Sequence, residues 1–274
     1  MISPCKQLTA VVFDWAGTTV DHGCCAPALV FQKIFAARGI EVTAAQAREP
    51  MGKAKRDHIA AIAAMPDVAA AWKAKFGSPC GDAEIDELYA EFLPLQKQIL
   101  KDYSDLIPGV AEAVNQCRER GLKIGSSTGY TPELMEVVIP EAQRQGYEPD
   151  CVLCSGDTAQ GRPAPYMLHS AAEQLGVWPM WSIVKVDDTP VGIEAGRNAG
   201  CWTVGITRTG NGVGLSLEET EELPAEELQS RCEAAAGKLR AAGAHYILES
   251  VADLPALIPE IEQRLANGES PVTV

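Results

Sequence analysis

Positive charge is scarce in this sequence. Against 37 Asp and Glu stand 23 Lys and Arg, giving the 274-residue chain a formal net charge of −14 at neutral pH. That deficit excludes nucleic acid and anionic membrane surfaces as main partners, since both demand a basic face. An anionic substrate would need cations gathered at one point. No apolar run approaches the roughly 18 residues of a membrane-spanning helix. The opening Met1-Ile2-Ser3-Pro4-Cys5 is too short and polar for a secretory leader, which points to the cytoplasm. Internal repeats and low-complexity tracts are absent. The nine cysteines are odd in number and scattered, with Cys24 and Cys25 adjacent. This excludes a disulfide framework and fits free thiols in a reducing compartment. Cys151 and Cys154 form a C-x-x-C, but inside a strand-like run whose residues three apart face opposite sides. The pair therefore reads as buried small hydrophobes.

One more absence is local. Val11-Val12-Phe13-Asp14 is a short apolar run with β-branched residues, which predicts a buried strand delivering Asp14 at its C-terminal tip. Gly17-Thr18-Thr19 follows. Open α/β sheets place reactive groups at such a strand end, although an Asp there often only caps a turn. A carboxylate that attacks phosphate esters usually needs a second acid nearby to protonate the leaving oxygen. Two residues on from Asp14 stands Ala16. If Asp14 attacks phosphorus, its leaving group should need no proton from that position.

The rest of the chain alternates. Residues 9–14 form a first strand, and from about Ala26 to Asp102 only helical patterns appear. Thr43 and Gln46 make a capping box, Pro66 ends a helix begun near Lys53, and a last helix covers Asp82–Lys101. From Pro108 onward strands and helices alternate: strands at Leu122–Gly125, Cys151–Cys154, Ser182–Val186, Trp202–Ile206 and His245–Ile247, with helices between and after them, including Pro163–Leu175 and Glu222–Ala242. Asn211-Gly212-Val213-Gly214 sits in a loop, the acidic run Glu218–Glu222 reads as a solvated face, and Ala266–Val274 as a frayed tail. This rhythm predicts an α/β fold, a doubly wound parallel sheet of Rossmann-like type with an inserted all-helical cap. The expected division is a core of residues 1–22 and 103–274 and a cap of residues 23–102.

In a parallel sheet all strand C-termini share one edge, so Asp14, Ser127/Thr128, Arg162 and Asp187/Asp188 are expected to converge. A carboxylate nucleophile, hydroxyls and amides at a helix start, a guanidinium and further carboxylates form a phosphoryl-transfer set. Crowded carboxylates call for a hard cation, and Mg²⁺ suits oxygen ligands. The ordered set resembles the haloacid dehalogenase superfamily over nearly the whole chain. Asp14-Trp15-Ala16-Gly17-Thr18-Thr19, Pro50-Met51-Gly52 with Lys55 and His58, Gly125-Ser126-Ser127-Thr128-Gly129-Tyr130-Thr131 and Ala159-Gln160-Gly161-Arg162-Pro163 narrow the resemblance to the phosphonoacetaldehyde hydrolase family. The resemblance implies Asp14 as nucleophile forming an aspartyl-phosphate. It implies Mg²⁺ on Asp14, the Ala16 carbonyl and Asp188, and Lys55 in the cap as the Schiff-base amine. It places Thr128, Gly129, Arg162, Cys24, Met51 and Tyr130 near the substrate, and it suggests a homodimer through the cap. The expected reaction is hydrolysis of a small phosphonate, phosphonoacetaldehyde, to acetaldehyde and phosphate. The superfamily often carries an Asp four residues after the metal-binding Asp, where this chain has Gly192. Asp187 is the available substitute, so the metal-touching member of the Asp187/Asp188 pair stays open.

Ala16 and Lys55 belong to one argument. A carbon–phosphorus bond has no oxygen to protonate, and a protonated imine next to the breaking bond accepts its electrons as an enamine. The amine must be neutral to condense, and Lys53, Arg56 and a helix start near Gly52 are expected to favour that form. Spacing alone leaves Lys53 open beside Lys55, although only Lys55 shares His58's helix face ideally. His58 would move protons during imine formation; an ordinary surface or capping role is its competitor. Two further readings remain: a sugar-phosphate phosphatase or mutase, which needs an acid at position 16, and a non-catalytic phosphate-binding protein.

Overall fold

The computed structural model describes residues 7–272, so the Met1–Cys5 stretch and the last two residues of the C-terminal tail lie outside it. Six strands form one sheet: β1 (Ala10–Phe13), β2 (Lys123–Ser127), β3 (Cys151–Leu153), β4 (Ile183–Asp187), β5 (Trp202–Ile206) and β6 (Tyr246–Leu248). Their spatial order is β3-β2-β1-β4-β5-β6, and every pairing is parallel. β1 is central, with Phe13 in register with Ser126 on one side and Val186 on the other. Strand order reverses beside β1, and that switch point opens a crevice at the C-terminal edge. β1, β4 and β5 are buried throughout, because helices cover both faces of the sheet. Val11 and Phe13 face one apolar cluster, Ala10 and Val12 the other. Cys151 and Cys154 fall in different clusters, both as free buried thiols.

Between β1 and β2 the chain is helical: α1 (Cys25–Ala37), α2 (Ala44–Arg48), α3 (Lys55–Ala63), α4 (Pro66–Phe76) and α5 (Asp82–Ile99), closed by a 3-10 turn at Leu100–Tyr103. The Thr43–Gln46 capping box is formed. Pro66 does not end a helix but opens α4, where its fixed φ and missing N–H fit the first turn. Departure and return run side by side: Asp21 N donates to the Asp105 carbonyl (3.2 Å) and Ile107 N to that of Thr19 (2.9 Å).

The remaining helices are α6 (Val110–Glu119), α7 (Pro132–Arg144), α8 (Tyr166–Leu175), α9 (Pro190–Ala199), α10 (Leu217–Glu222), α11 (Ala225–Ala241) and α12 (Leu254–Ala266). Three segments depart from the sequence reading. β2 runs two residues further than its apolar stretch, since Ser126 Oγ is satisfied by the Cys151 carbonyl (3.2 Å). The helix expected over Glu222–Ala242 is α11, which starts after Pro224, and the acidic run before it forms a separate short helix, α10, capped by Ser216. The tail is not frayed through Pro271, whose carbonyl accepts from Arg197 Nη1 (2.6 Å), while Glu269 pairs with Arg264 (2.8 Å). No helix among the described residues is long and apolar enough to cross a membrane.

Candidate active site

Asp14 leaves β1 at the switch point and is buried. Arg162, from the loop between β3 and α8, grips it with both arms: Nη1 to Oδ2 at 3.0 Å and Nη2 to Oδ1 at 2.9 Å. Such a fork fixes the carboxylate's plane as well as its place. Nη2 also donates to the Ser127 carbonyl and to Ser127 Oγ (3.1 Å), which anchors the guanidinium to the end of β2.

Asp187 and Asp188 end β4, and ligand oxygens of Asp14, Asp187 and Asp188 lie within 4.8 Å of one another. The two neighbours differ in what holds them. Asp187 Oδ1 accepts from Thr189 N (2.9 Å) and Oγ1 (2.6 Å), and Oδ2 faces Lys185 Nζ (2.9 Å) and Arg162 Nη1 (3.2 Å). Burial works against its charge, but Arg162 and Lys185 hold its carboxyl below the usual range. Asp188 has only neutral partners, Thr18 Oγ1 (2.9 Å) and Asn211 N (2.7 Å). Burial, with the charges of Asp14 and Asp187 added, pushes its carboxyl well above the usual range. The donor set therefore fits a hard divalent cation: Asp188 lacks a cationic partner among the described residues, whereas Asp14 is paired with Arg162 and Asp187 with Lys185 and Arg162.

Gly192 explains why only one extra carboxylate fits. A Cβ built there would lie 2.0 Å from Asp187 Cγ. Asp187 thus fills the space that a side chain at position 192 would need. Gly192→Ala is expected to destabilise the fold by about 1–3 kcal/mol and to lower activity by displacing Asp187; urea unfolding with parallel assays checks both.

Asp14 and Ala16 face a narrow cleft of about 20 Å³ whose other walls include Cys24, Met51, Lys55, Thr128, Gly129, Tyr130 and Arg162. That is room for about one ordered water. Gly52 lets the helical block approach the sheet edge: its φ is +91°, and a Cβ there would meet Thr189 Oγ1 at 2.5 Å. Lys55 is the first residue of α3 and only 4% exposed. Its Nζ lies over Tyr130 (4.7 Å from the ring centroid), Phe31 (5.6 Å) and Phe92 (5.9 Å). Burial lowers its pKa to about 8; the neighbouring Cys24 and Asp14 oppose that shift and Arg162 adds to it.

A haloacid dehalogenase-like hydrolase family profile matches residues 8–200. A phosphonoacetaldehyde hydrolase of Paraburkholderia xenovorans is 48% identical over 266 residues, spanning 97% of this chain and 100% of the relative. A bifunctional phosphonoacetaldehyde hydrolase/aminoethylphosphonate transaminase of Clostridioides difficile is 45% identical over 96% of this chain, which corresponds to 42% of that longer protein. Among solved structures, a phosphonoacetaldehyde hydrolase-like protein from Oleispira antarctica superposes with a TM-score of 0.95 at 42% identity, covering 98% of this chain and 96% of that one. The chain belongs to the phosphonoacetaldehyde hydrolase family. Its fold is accordingly the haloacid dehalogenase-like, Rossmann-type one.

Within this family member the sequence-derived residues are distributed unevenly. Asp14, Ala16, Cys24, Met51, Lys55, Thr128, Gly129, Tyr130 and Arg162 share the cleft, with Asp188 beside Asp14. Lys53 borders a different surface depression, beside Glu49 and Met65. His58 is fully buried and is not among the residues lining the cleft. Its Nε2 donates to the Ala47 carbonyl (2.8 Å), and its ring stacks on Phe31 at 3.7 Å. Burial first, then Lys55, holds it neutral, with Nδ1 as a buried acceptor unpartnered among the described residues. Arg56 contributes nothing to the lysine's neutrality: it is turned outward to Asp86 (2.6 Å) and Asp82 (3.1 Å). Sequence reasoning missed Phe31, Phe92, Lys185, Thr18 and Asn211. Lys185 did carry a signal, since a charge in the middle of Ile183-Val184-Lys185-Val186 is out of place in a buried parallel strand.

Proposed function

We propose that this chain hydrolyses the carbon–phosphorus bond of phosphonoacetaldehyde, giving acetaldehyde and phosphate. The observation that carries the reading is a buried, depressed-pKa lysine facing the same small cleft as a strand-end aspartate, with alanine where an ester hydrolase keeps an acid. Lys55 in its neutral form adds to the aldehyde, and with one proton taken up from solvent, water leaves to give a protonated imine. Asp14 then attacks phosphorus. The C–P bond breaks, its electron pair enters the imine as an enamine, and phosphorus passes to Asp14 as an aspartyl-phosphate. Water hydrolyses that phosphate, while protonation and hydrolysis of the enamine release acetaldehyde and free Lys55. A Mg²⁺ held by Asp14, the Ala16 carbonyl and Asp188 would neutralise phosphonate oxygens during attack. Arg162 orients Asp14, and Thr128 with Gly129 offers a hydroxyl and an amide to the phosphonate. His58, buried behind the cleft and held neutral, packs the helix of Lys55 against Phe31 and takes no proton in the imine steps.

Residues 23–102 serve as a cap and residues 1–22 with 103–274 as a core, the cap opening to admit substrate and closing to exclude water. Phe76, 46% exposed and packed on the buried Trp72 at 4.7 Å, supports a homodimer through this cap. The fused transaminase of the Clostridioides relative supports a place in phosphonate breakdown, with an aminophosphonate as the source of the aldehyde, and the free thiols support a cytoplasmic setting. Sodium borohydride added during turnover is expected to inactivate the enzyme and leave a reduced two-carbon adduct on the Lys55 peptide. Turnover with no trappable adduct under any condition would reject the imine route.

A further inference from the structure

We infer that Arg48 and Asn211 are positioning residues that lock the helical block carrying Lys55 to the carboxylate Asp188. Asn211 lies in the loop after β5, with no role in the chemistry above. Its backbone N–H donates to Asp188 Oδ2 at 2.7 Å. Its side chain is tied to Arg48, the last residue of α2, in both directions: Oδ1 accepts from Arg48 Nη1 at 3.2 Å, and Nδ2 donates to the Arg48 carbonyl at 3.1 Å. Arg48 in turn reaches back to the segment that leads into the block, where Nη1 also donates to the carbonyls of Gly23 (2.5 Å) and Cys24 (3.2 Å). One residue on the sheet side thus holds both a candidate metal ligand and the helix that precedes Lys55.

The same loop grips the linker along its length. Gly23 N donates to the Thr209 carbonyl (2.7 Å), Thr209 Oγ1 to that of Gly17 (3.0 Å), and the His22 ring bonds the Leu215 carbonyl (2.9 Å). The fit leaves no slack: a Cβ at Gly214 would sit 2.8 Å from Arg48 Nε, and one at Gly23 would sit 2.1 Å from Leu215 O. The non-glycine residues with positive φ among the described residues are Asp21 (53°) and Cys24 (52°), one on either side of this grip. L-residues persist in that region only when their surroundings over-determine it. Contacts that hold the linker in a disfavoured conformation also hold the block closed, so losing the Arg48–Asn211 bridge should release linker, block and Asp188 together.

The test uses the whole protein, with backbone hydrogen exchange and steady-state kinetics on Arg48→Met, Arg48→Lys, Asn211→Ala and the double variant Arg48→Met/Asn211→Ala. Hydrogen bonds to charged groups are strong enough that about tenfold or greater acceleration of exchange is expected at residues 23–28 and 55–58. Exchange in β1, β4 and β5 should stay at the wild-type level. On phosphonoacetaldehyde, kcat should fall about ten- to a hundredfold in each single variant by the same arithmetic. The double variant should be no worse than the weaker single, and Arg48→Lys, which keeps one charged donor, should recover part of the loss. Unchanged exchange overturns the inference, as does acceleration spread evenly over the sheet, or single-variant losses that multiply in the double. If Asn211→Ala does not fold, the comparison of Arg48→Met with Arg48→Lys still decides the matter. The proposal rests on the reading of the site only for its kinetic arm. A wild-type enzyme inactive on phosphonoacetaldehyde would reject that reading, and the exchange pattern would still judge the lock.

Discussion

Arginine in place of Lys55 is expected to reduce carbon–phosphorus cleavage by about 10⁴-fold or more, the scale of losing a residue that bonds covalently to substrate. The substitution keeps a cation among Phe31, Phe92 and Tyr130, so electrostatic attraction for an anionic substrate survives. What it removes is a neutral amine, because a guanidinium does not deprotonate in proteins. Wild-type activity should carry the complementary signature. With Lys55 near pKa 8, about one molecule in ten holds the free amine at pH 7. kcat/KM should therefore rise with pH through about 8 and level off above it, a slope the arginine variant lacks. Circular dichroism and substrate binding check that the variant is folded; residual turnover above about 1% in a folded Lys55→Arg enzyme contradicts a covalent role.

The case for Lys55 shows where the sequence was readable and where it was not. Asp14, Thr128, Arg162 and Asp188 could be grouped in advance because a parallel sheet sends every strand end to one edge, and β1 lies between β2 and β4 as that logic requires. Lys55 entered through the motif resemblance, since nothing in a helical pattern separates one lysine from the next. From the sequence, Lys53, Arg56 and a nearby helix start are the visible causes that would favour its neutral form. The structure places Lys55 at the first position of α3, turns Arg56 away to Asp82 and Asp86, and assigns the main effect to burial. That burial comes from α1, α5 and the Tyr130 turn, segments far apart in the chain whose meeting is a tertiary fact. His58 illustrates the same limit: three-residue spacing put it on the face of Lys55, but stacking on Phe31 decides where its ring points. Asn211 was invisible for a further reason, since its two partners, Asp188 and Arg48, lie in separate parts of the fold.

Lys185→Met should cost about 3–5 kcal/mol of stability, the usual penalty for removing one partner of a buried ion pair. Lys185 is wholly buried in β4, with its Nζ 2.9 Å from Asp187 Oδ2 and 3.2 Å from Ser127 Oγ. Three carboxylates meet at this strand edge, and among the described residues two of them, Asp14 and Asp187, are paired with the cations Arg162 and Lys185. Without Lys185, the cation left to Asp187 is Arg162, through Nη1, the same atom that bonds Asp14 Oδ2. The damage should therefore reach the nucleophile, and activity should fall with stability. The pH dependence has a definite sign. Asp187 has its folded pKa lowered, so its favourable contribution is present above the ordinary carboxylate pKa and is lost as pH falls below it. The gap between wild type and Lys185→Met, read from urea midpoints, should thus be full at pH 7 and narrow below about pH 4. Adding Asp187→Asn should restore most of the stability, since no unpaired charge remains. A Lys185→Met protein within about 1 kcal/mol of wild type at pH 7 would show that Arg162 alone suffices for both carboxylates, and the strand-buried lysine would then need another explanation.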